Sequence, residues 1–151
     1  MVLIVKNPKV VENGFGNYFK KFAKDPENFF KNAFVYNHCP IGMLSDSGAN
    51  YTPVRLEVTI REEVIKICDE TLLEVIKLLQ PNIIVGVGRR AESRCKRIVK
   101  QNKLSNDVKV IYLLHPSPLT RQSKNWVEKT EKSLEDLKLI RYFDGSKTEE
   151  T

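Results

Sequence analysis

His115 stands where an apolar run, Val110 to Leu114, stops, and Pro116, Ser117 and Pro118 follow it. A neutral imidazole donates an N–H. Aimed at a carbonyl oxygen that gains negative charge as a bond breaks, it stabilises the developing anion. The same histidine reads equally well as a satisfied structural residue. Asn37, in AFVYNHCP, is a second candidate. Its amide donates one hydrogen bond and accepts another, which suits the edge of a nucleobase; the bland alternative is a turn asparagine bonded to its own backbone. The third stretch, GVGRRAESRCKR from Gly86 to Arg97, joins a Gly-x-Gly turn to an arginine-rich helix start. Backbone N–H groups and the helix dipole there favour an anion, as at a generic phosphate site. It is not a dinucleotide fingerprint, since Glu92 stands near the place of the third glycine, nor a P-loop, which needs Gly-Lys-Ser/Thr.

The elements that position these residues follow from periodicity. VIYLL reads as a buried strand, and Pro116 bars it from continuing as a ladder while biasing His115 to extended backbone. Ala33 to Cys39 reads as a strand ending in Asn37, His38, Cys39 and Pro40. Asn82 to Gly88 reads as a strand apolar on both faces, as in a parallel sheet. Met1 to Val5 is a short strand or an edge. Helices are predicted over Gly14 to Lys24 from its aromatic spacing, after Asp25-Pro26-Glu27 as far as Lys31, from a Thr59-x-x-Glu62 capping box to about Leu79, through the basic segment, and after Trp126. In the long helix the predicted core stripe is Ile60, Val64, Ile67, Thr71/Leu72, Val75 and Leu78/Leu79, and Pro81 ends it. In the basic helix Ala91, Cys95, Ile98 and Val99 face inward; in the last helix Trp126, Thr130, Leu134 and Leu137 do. Ile41 to Pro53 is a loop rich in Gly, Ser and Asn. Strands alternating with helices make an α/β domain, three-layer α/β/α around a short, mostly parallel sheet. Asn37, Gly86/Gly88 and His115 then fall at carboxyl ends of successive strands, on one rim where such sheets bind ligands.

Composition sets outer bounds. The chain of 151 residues, 41% hydrophobic and 29% charged, is the size of one domain. No apolar run is long enough to span a bilayer, and the first residues do not read as a secretory signal. Cys39, Cys68 and Cys95 are odd in number and never CxxC, which argues for reduced thiols in the cytosol or nucleus and against a disulfide or zinc framework. Between Arg89 and Lys109 lie eight basic and two acidic residues, the whole of the net +6. Such a patch suits a polyanion partner; a solvated helix face is the bland alternative.

At these residues the chain resembles the uracil-DNA glycosylase superfamily, and within it the single-strand-selective monofunctional uracil-DNA glycosylases. The matching pieces are FFKNAFVYNHCP, SGANYTP, ICDETL, VGVGRRAESRCKR and LLHPSP followed by Trp126, in the family's order and spacing. The resemblance reaches from near the N-terminus to Ile140. It implies a uracil-DNA glycosylase-like domain over residues 1–143, incomplete at its N-terminus, with 144–151 a disordered polar tail. It implies that Asn37 reads the base edge and that His115 is the catalytic donor to the uracil O2. Gly88, Arg89 and Arg90 would lie at the DNA backbone. Pro116, Ser117, Pro118, Leu119 and Lys124 would belong to the loop that presses into DNA and holds the base extrahelical.

The family's water-positioning Asn-Pro-Gly-Pro-like motif has no counterpart: the only Asn-Pro, Asn7-Pro8, runs on into Lys9 and Val10. The resemblance thus implies that a central strand, the catalytic Asn and a stacking aromatic belong upstream of Met1. The intercalating loop also departs from the family, reading Leu119-Thr120-Arg121 where Arg-Asn-Pro is usual. The expected function is a monomeric hydrolase of base excision repair, in the nucleus. It would flip uracil or a 5-modified uracil out of single- or double-stranded DNA and hydrolyse its N-glycosidic bond, with no metal, cofactor or membrane. The alternatives are an inactive truncated relative that only binds DNA, and an unrelated α/β domain holding a small phosphate ligand at GVGRR.

Overall fold

The run IIVGV is apolar throughout because both of its faces are covered. In the computed structural model, which describes residues 2–5, 29–30, 33–104, 106, 108–115 and 125–140, it is strand β5 (Ile83–Val87). It lies inside a four-stranded parallel sheet with β1 (Val2–Val5), β2 (Ala33–Tyr36) and β6 (Lys109–Leu113), in the order β2-β1-β5-β6. The short N-terminal strand is therefore central, pairing along its length with β2 and β5. Of the two alternatives for this stretch, a short strand or an edge, the structure gives a strand paired on both sides. Four apolar residues carry too little pattern to reveal pairing on two sides.

Side chains alternate across β5 and define the layers. Val85 and Val87 pack with Ile111 and Leu113 against Trp126 and Leu134 of helix α3 (Trp126–Asp136), with Leu139 beyond it. Ile84 faces the other way, onto Leu72 and Ile76 of α1 (Val58–Leu79) and Cys95, Ile98 and Val99 of α2 (Arg89–Gln101). The arrangement is the predicted three-layer α/β/α domain. Gln80, in the left-handed region at φ 45°, turns the chain out of α1 before Pro81.

The inward residues of α2 and α3 are those expected, but α1 is rotated from its predicted phase. Its buried residues are Cys68, Leu72 and Ile76, while Ile60, Ile67 and Leu78 are 49%, 60% and 83% exposed. A 22-residue helix is ~33 Å long and a five-residue strand ~17 Å, so only the middle of α1 meets the sheet. The capping box is not formed either. The helix begins at Val58 after Glu57, and the Thr59 hydroxyl donates to the Glu57 carboxylate at 3.0 Å.

Between β2 and α1 the expected loop holds a two-residue antiparallel ladder, β3 (Met43–Leu44) with β4 (Asn50–Tyr51), and a 3₁₀ turn, Pro53–Arg55. Of the N-terminal helical segments, Phe29 and Phe30 are helical. The aromatic helix at Gly14 to Lys24, the Asp25-Pro26-Glu27 start, Lys31 and the tail 144–151 lie outside the described residues.

Candidate active site

The sheet register aligns the carboxyl ends. Tyr36 and Gly86 both pair with Val5, and Gly86 also pairs with Tyr112. Asn37, Gly88 and His115 each follow one of these ends, so the parallel sheet brings all three to one rim, as predicted. Within it, Gly88 and His115 touch. Gly88 has φ 88°, and a Cβ built there lies 3.3 Å from the His115 Cβ and 3.4 Å from its Cδ2. The Gly88 N–H donates to the Leu113 carbonyl at 2.8 Å, extending the β5–β6 ladder to the turn. Asn37 stands farther along, three strand intervals or ~14 Å from β6.

The turn owes its shape to its glycines. At Gly86 a Cβ would sit 2.5 Å from both N and Cα of Glu92, so the first turn of α2 rests directly on the strand. That contact sets the helix N-terminus at the rim. Arg89, the first helical residue, lies over the Tyr112 ring at 4.0 Å and donates to Glu92 at 3.1 Å. Its guanidinium is thus oriented by the ring and the carboxylate while its side chain is largely exposed. Arg90 is exposed and, among the described residues, has no carboxylate partner.

His115 is half-buried, and burial pushes its imidazole below the ordinary 6.5. It is therefore neutral at neutral pH, the state that donates one N–H to an oxygen without bringing in a charge. Its backbone is held from the other layer: the Trp126 indole N–H donates to the Leu114 carbonyl at 2.8 Å. The residue that ends the LLHPSP…Trp motif pins the strand end that carries the histidine.

Asn37 differs in environment. Its Oδ1 is buried and has no hydrogen-bond partner among the described residues. A buried amide oxygen left unpaired costs free energy, so it favours a donor arriving from outside. Next to it, His38 Nε2 lies 2.6 Å from Asp69 Oδ1, and Arg94 donates to Asp69 Oδ2 at 3.2 Å.

The basic helix is less open than its composition suggests. Glu92 is buried, paired with Lys96 at 2.7 Å as well as with Arg89, and the Lys96 ammonium holds its carboxyl below the usual carboxylate range. Arg94 is committed to Asp69. Arg90, Arg97, Lys100, Lys103 and Lys109 remain exposed, with no carboxylate partner among the described residues. A cavity of about 820 Å³ lies between α1 and α2, lined by Arg61, Glu62, Lys66 and Arg97 among others. Its charges are of both signs and it is not the rim where Gly88 meets His115. Pro116, Ser117, Pro118, Leu119 and Lys124 lie outside the described residues. Sequence reasoning missed His38, Asp69, Arg94 and Glu92. The last was legible from its spacing of three and four to Arg89 and Lys96; the His38–Asp69 pair spans 31 residues and left no local signal.

The whole arrangement can be set against known proteins. The model of the uracil DNA glycosylase superfamily matches residues 2–138. The single-strand selective monofunctional uracil DNA glycosylases of Mus musculus and Bos taurus are each 39% identical over 127 residues, 83% of this chain. The matched segment is 45% and 46% of those proteins, so the chain spans less than half the length of the curated relatives it matches. The counterpart of Rattus norvegicus gives the same identity. The family match covers nearly the whole chain and the relatives are 39% identical over 83% of it, so the chain belongs to the uracil DNA glycosylase superfamily.

Proposed function

We propose that this chain carries uracil-DNA glycosylase chemistry: it takes a uracil, or a 5-modified uracil, turned out of DNA and hydrolyses its N-glycosidic bond in base excision repair. The observation that carries the reading is the rim itself, a neutral, half-buried His115 seated on Gly88, with the buried, unpartnered Asn37 Oδ1 on the same edge. As the glycosidic bond breaks, its electron pair moves onto the base. The His115 N–H stabilises the charge that gathers on the uracil O2. Asn37 accepts from the base N–H and so selects the edge that uracil presents. Water supplies hydroxide to the sugar carbon and a proton to the departing base, leaving uracil and an abasic site. Arg89 and Arg90 neutralise neighbouring phosphates, and Pro116, Ser117, Pro118, Leu119 and Lys124 line the DNA. The protein acts as a nuclear monomer on this reading.

The alternative, a relative that holds DNA without cleaving it, predicts the opposite outcome. One assay separates the two. The purified chain is incubated with a single-stranded oligonucleotide bearing one uracil, or thymine in its place, then treated with alkali and run on a denaturing gel. A break at uracil alone is the expected result. An intact strand that the chain nevertheless binds would establish the second reading instead.

A further inference from the structure

The loop that carries Asn37 leaves the sheet at Tyr36 and has no regular structure before Met43. One side chain anchors it across the molecule. His38 Nε2 lies 2.6 Å from Asp69 Oδ1, in the middle of α1, and the other oxygen of the same carboxylate accepts from Arg94 of α2 at 3.2 Å. His38 and Asp69 are 19% and 20% exposed. A charge-assisted bond this short, shielded from water on most sides, holds its partners more firmly than a surface ion pair does. Both carboxylate oxygens are engaged, so Asp69 cannot turn toward one partner without loosening the other. The residue so anchored adjoins Asn37, whose amide oxygen has no hydrogen-bond partner of its own among the described residues. Asn37 is therefore oriented through its neighbour.

We infer that His38 is a positioning residue: through Asp69 and Arg94 it sets the orientation in which Asn37 meets the base. The inference rests on the glycosylase reading for its consequence and on the network alone for its structure. It predicts a particular pattern. The link needs an N–H donor at position 38 and a carboxylate at position 69. His38→Gln keeps a donor and His38→Leu does not; Asp69→Asn keeps the shape but loses the charge. Misplacing a base-reading group weakens discrimination and the chemical step more than it weakens attachment to DNA, because attachment is spread over many phosphates.

The test uses the full chain and two independent readouts. The first is the side-chain amide resonance of Asn37 in a ¹⁵N-labelled sample, assigned by its disappearance in Asn37→Asp. His38→Leu and Asp69→Asn should shift or broaden it, and His38→Gln should leave it near the wild-type position. The second is single-turnover excision from single-stranded DNA containing uracil or cytosine. His38→Leu should lower kcat about tenfold and narrow the preference for uracil, leave KM little changed, and be rescued by His38→Gln. An Asn37 resonance identical in wild type and in both disrupting variants would overturn the inference. So would an unchanged rate and preference in a wild-type chain that excises uracil. If the wild-type chain excises nothing, the glycosylase reading fails while the resonance still decides the positioning claim. Should His38→Leu not fold, Asp69→Asn and His38→Gln give the same comparison.

Discussion

Gly88 and His115 meet through backbone geometry, whereas Asn37 is held through a chain of side chains. On the β5–β6 half of the rim, parallel register, two glycines and the indole bond to the Leu114 carbonyl leave the histidine little choice of position. On the β2 half the strand ends at Tyr36, and the link to the helices runs through His38, Asp69 and Arg94. The first half is tightly packed: an atom added at Gly86 would sit 2.5 Å from the Glu92 main chain. The second is ordered only while its charges stay paired. One rim therefore combines a histidine fixed by backbone geometry with an asparagine held through side chains, and the two halves should break under different kinds of change.

The largest break is at the backbone. Gly86→Ala puts a methyl 2.5 Å from the Glu92 main chain and must push α2 off β5. A loss of about 3 kcal/mol or more in urea unfolding is expected, since overpacking against backbone has no side chain to yield. A stability equal to wild type would mean that the strand–helix contact is not the frame of the rim. Next comes the indole. Trp126→Phe keeps most of the apolar volume but removes the donor to Leu114, leaving a carbonyl unpaired at a cost of about 1–3 kcal/mol. Excision should fall as well, because His115 follows directly.

Acid sharpens the contrast without any mutation. Burial holds His115 below 6.5, so the neutral form persists through the range where an ordinary histidine charges. Its NMR titration should have a midpoint below 6.5. The stability consequence has a definite sign. The folded-state value lies below the unfolded one, so the stability due to neutral His115 is complete above about 6.5 and is lost as pH falls through the folded-state value. His115→Asn should abolish that part of the acid slope in thermal melts. The smallest effect belongs to the surface. Arg90→Gln should weaken DNA binding uniformly and lower the slope of log K against log salt by about 1. Lys96→Gln should do less, because Lys96 is paired with Glu92.

Much of this was legible in the sequence, for reasons that differ by element. NIIVGVG and VIYLL are long enough, and apolar enough on both faces, to be read as parallel strands, and a turn follows each; hence the rim with Gly88 and His115 could be read in advance. The inward faces of α2 and α3 follow from helical periodicity. The face of α1 did not, because apolar residues lie all round it and only contact with a shorter sheet decides which are covered. Val2–Val5 was legible as apolar but not as central, since position in a sheet depends on partners 31 and 81 residues away. The site divides in the same way. Asn37 and His115 announce themselves by standing at strand ends. Asp69 and His38 do not, because a helix carboxylate has no visible purpose until the fold sets an imidazole and a guanidinium against it.

On the proposed reading His115 and Asn37 act on uracil from one rim. Single-turnover excision of uracil from single-stranded DNA, measured for wild type, His115→Ala and Asn37→Ala with folding verified by circular dichroism, tests it most directly. The account predicts a fall of about 10²–10³-fold for His115→Ala, the scale of losing one donor to a developing oxyanion. Asn37→Ala should fall as well and also lose the preference for uracil over cytosine. Excision that proceeds at the wild-type rate in both folded variants would contradict it.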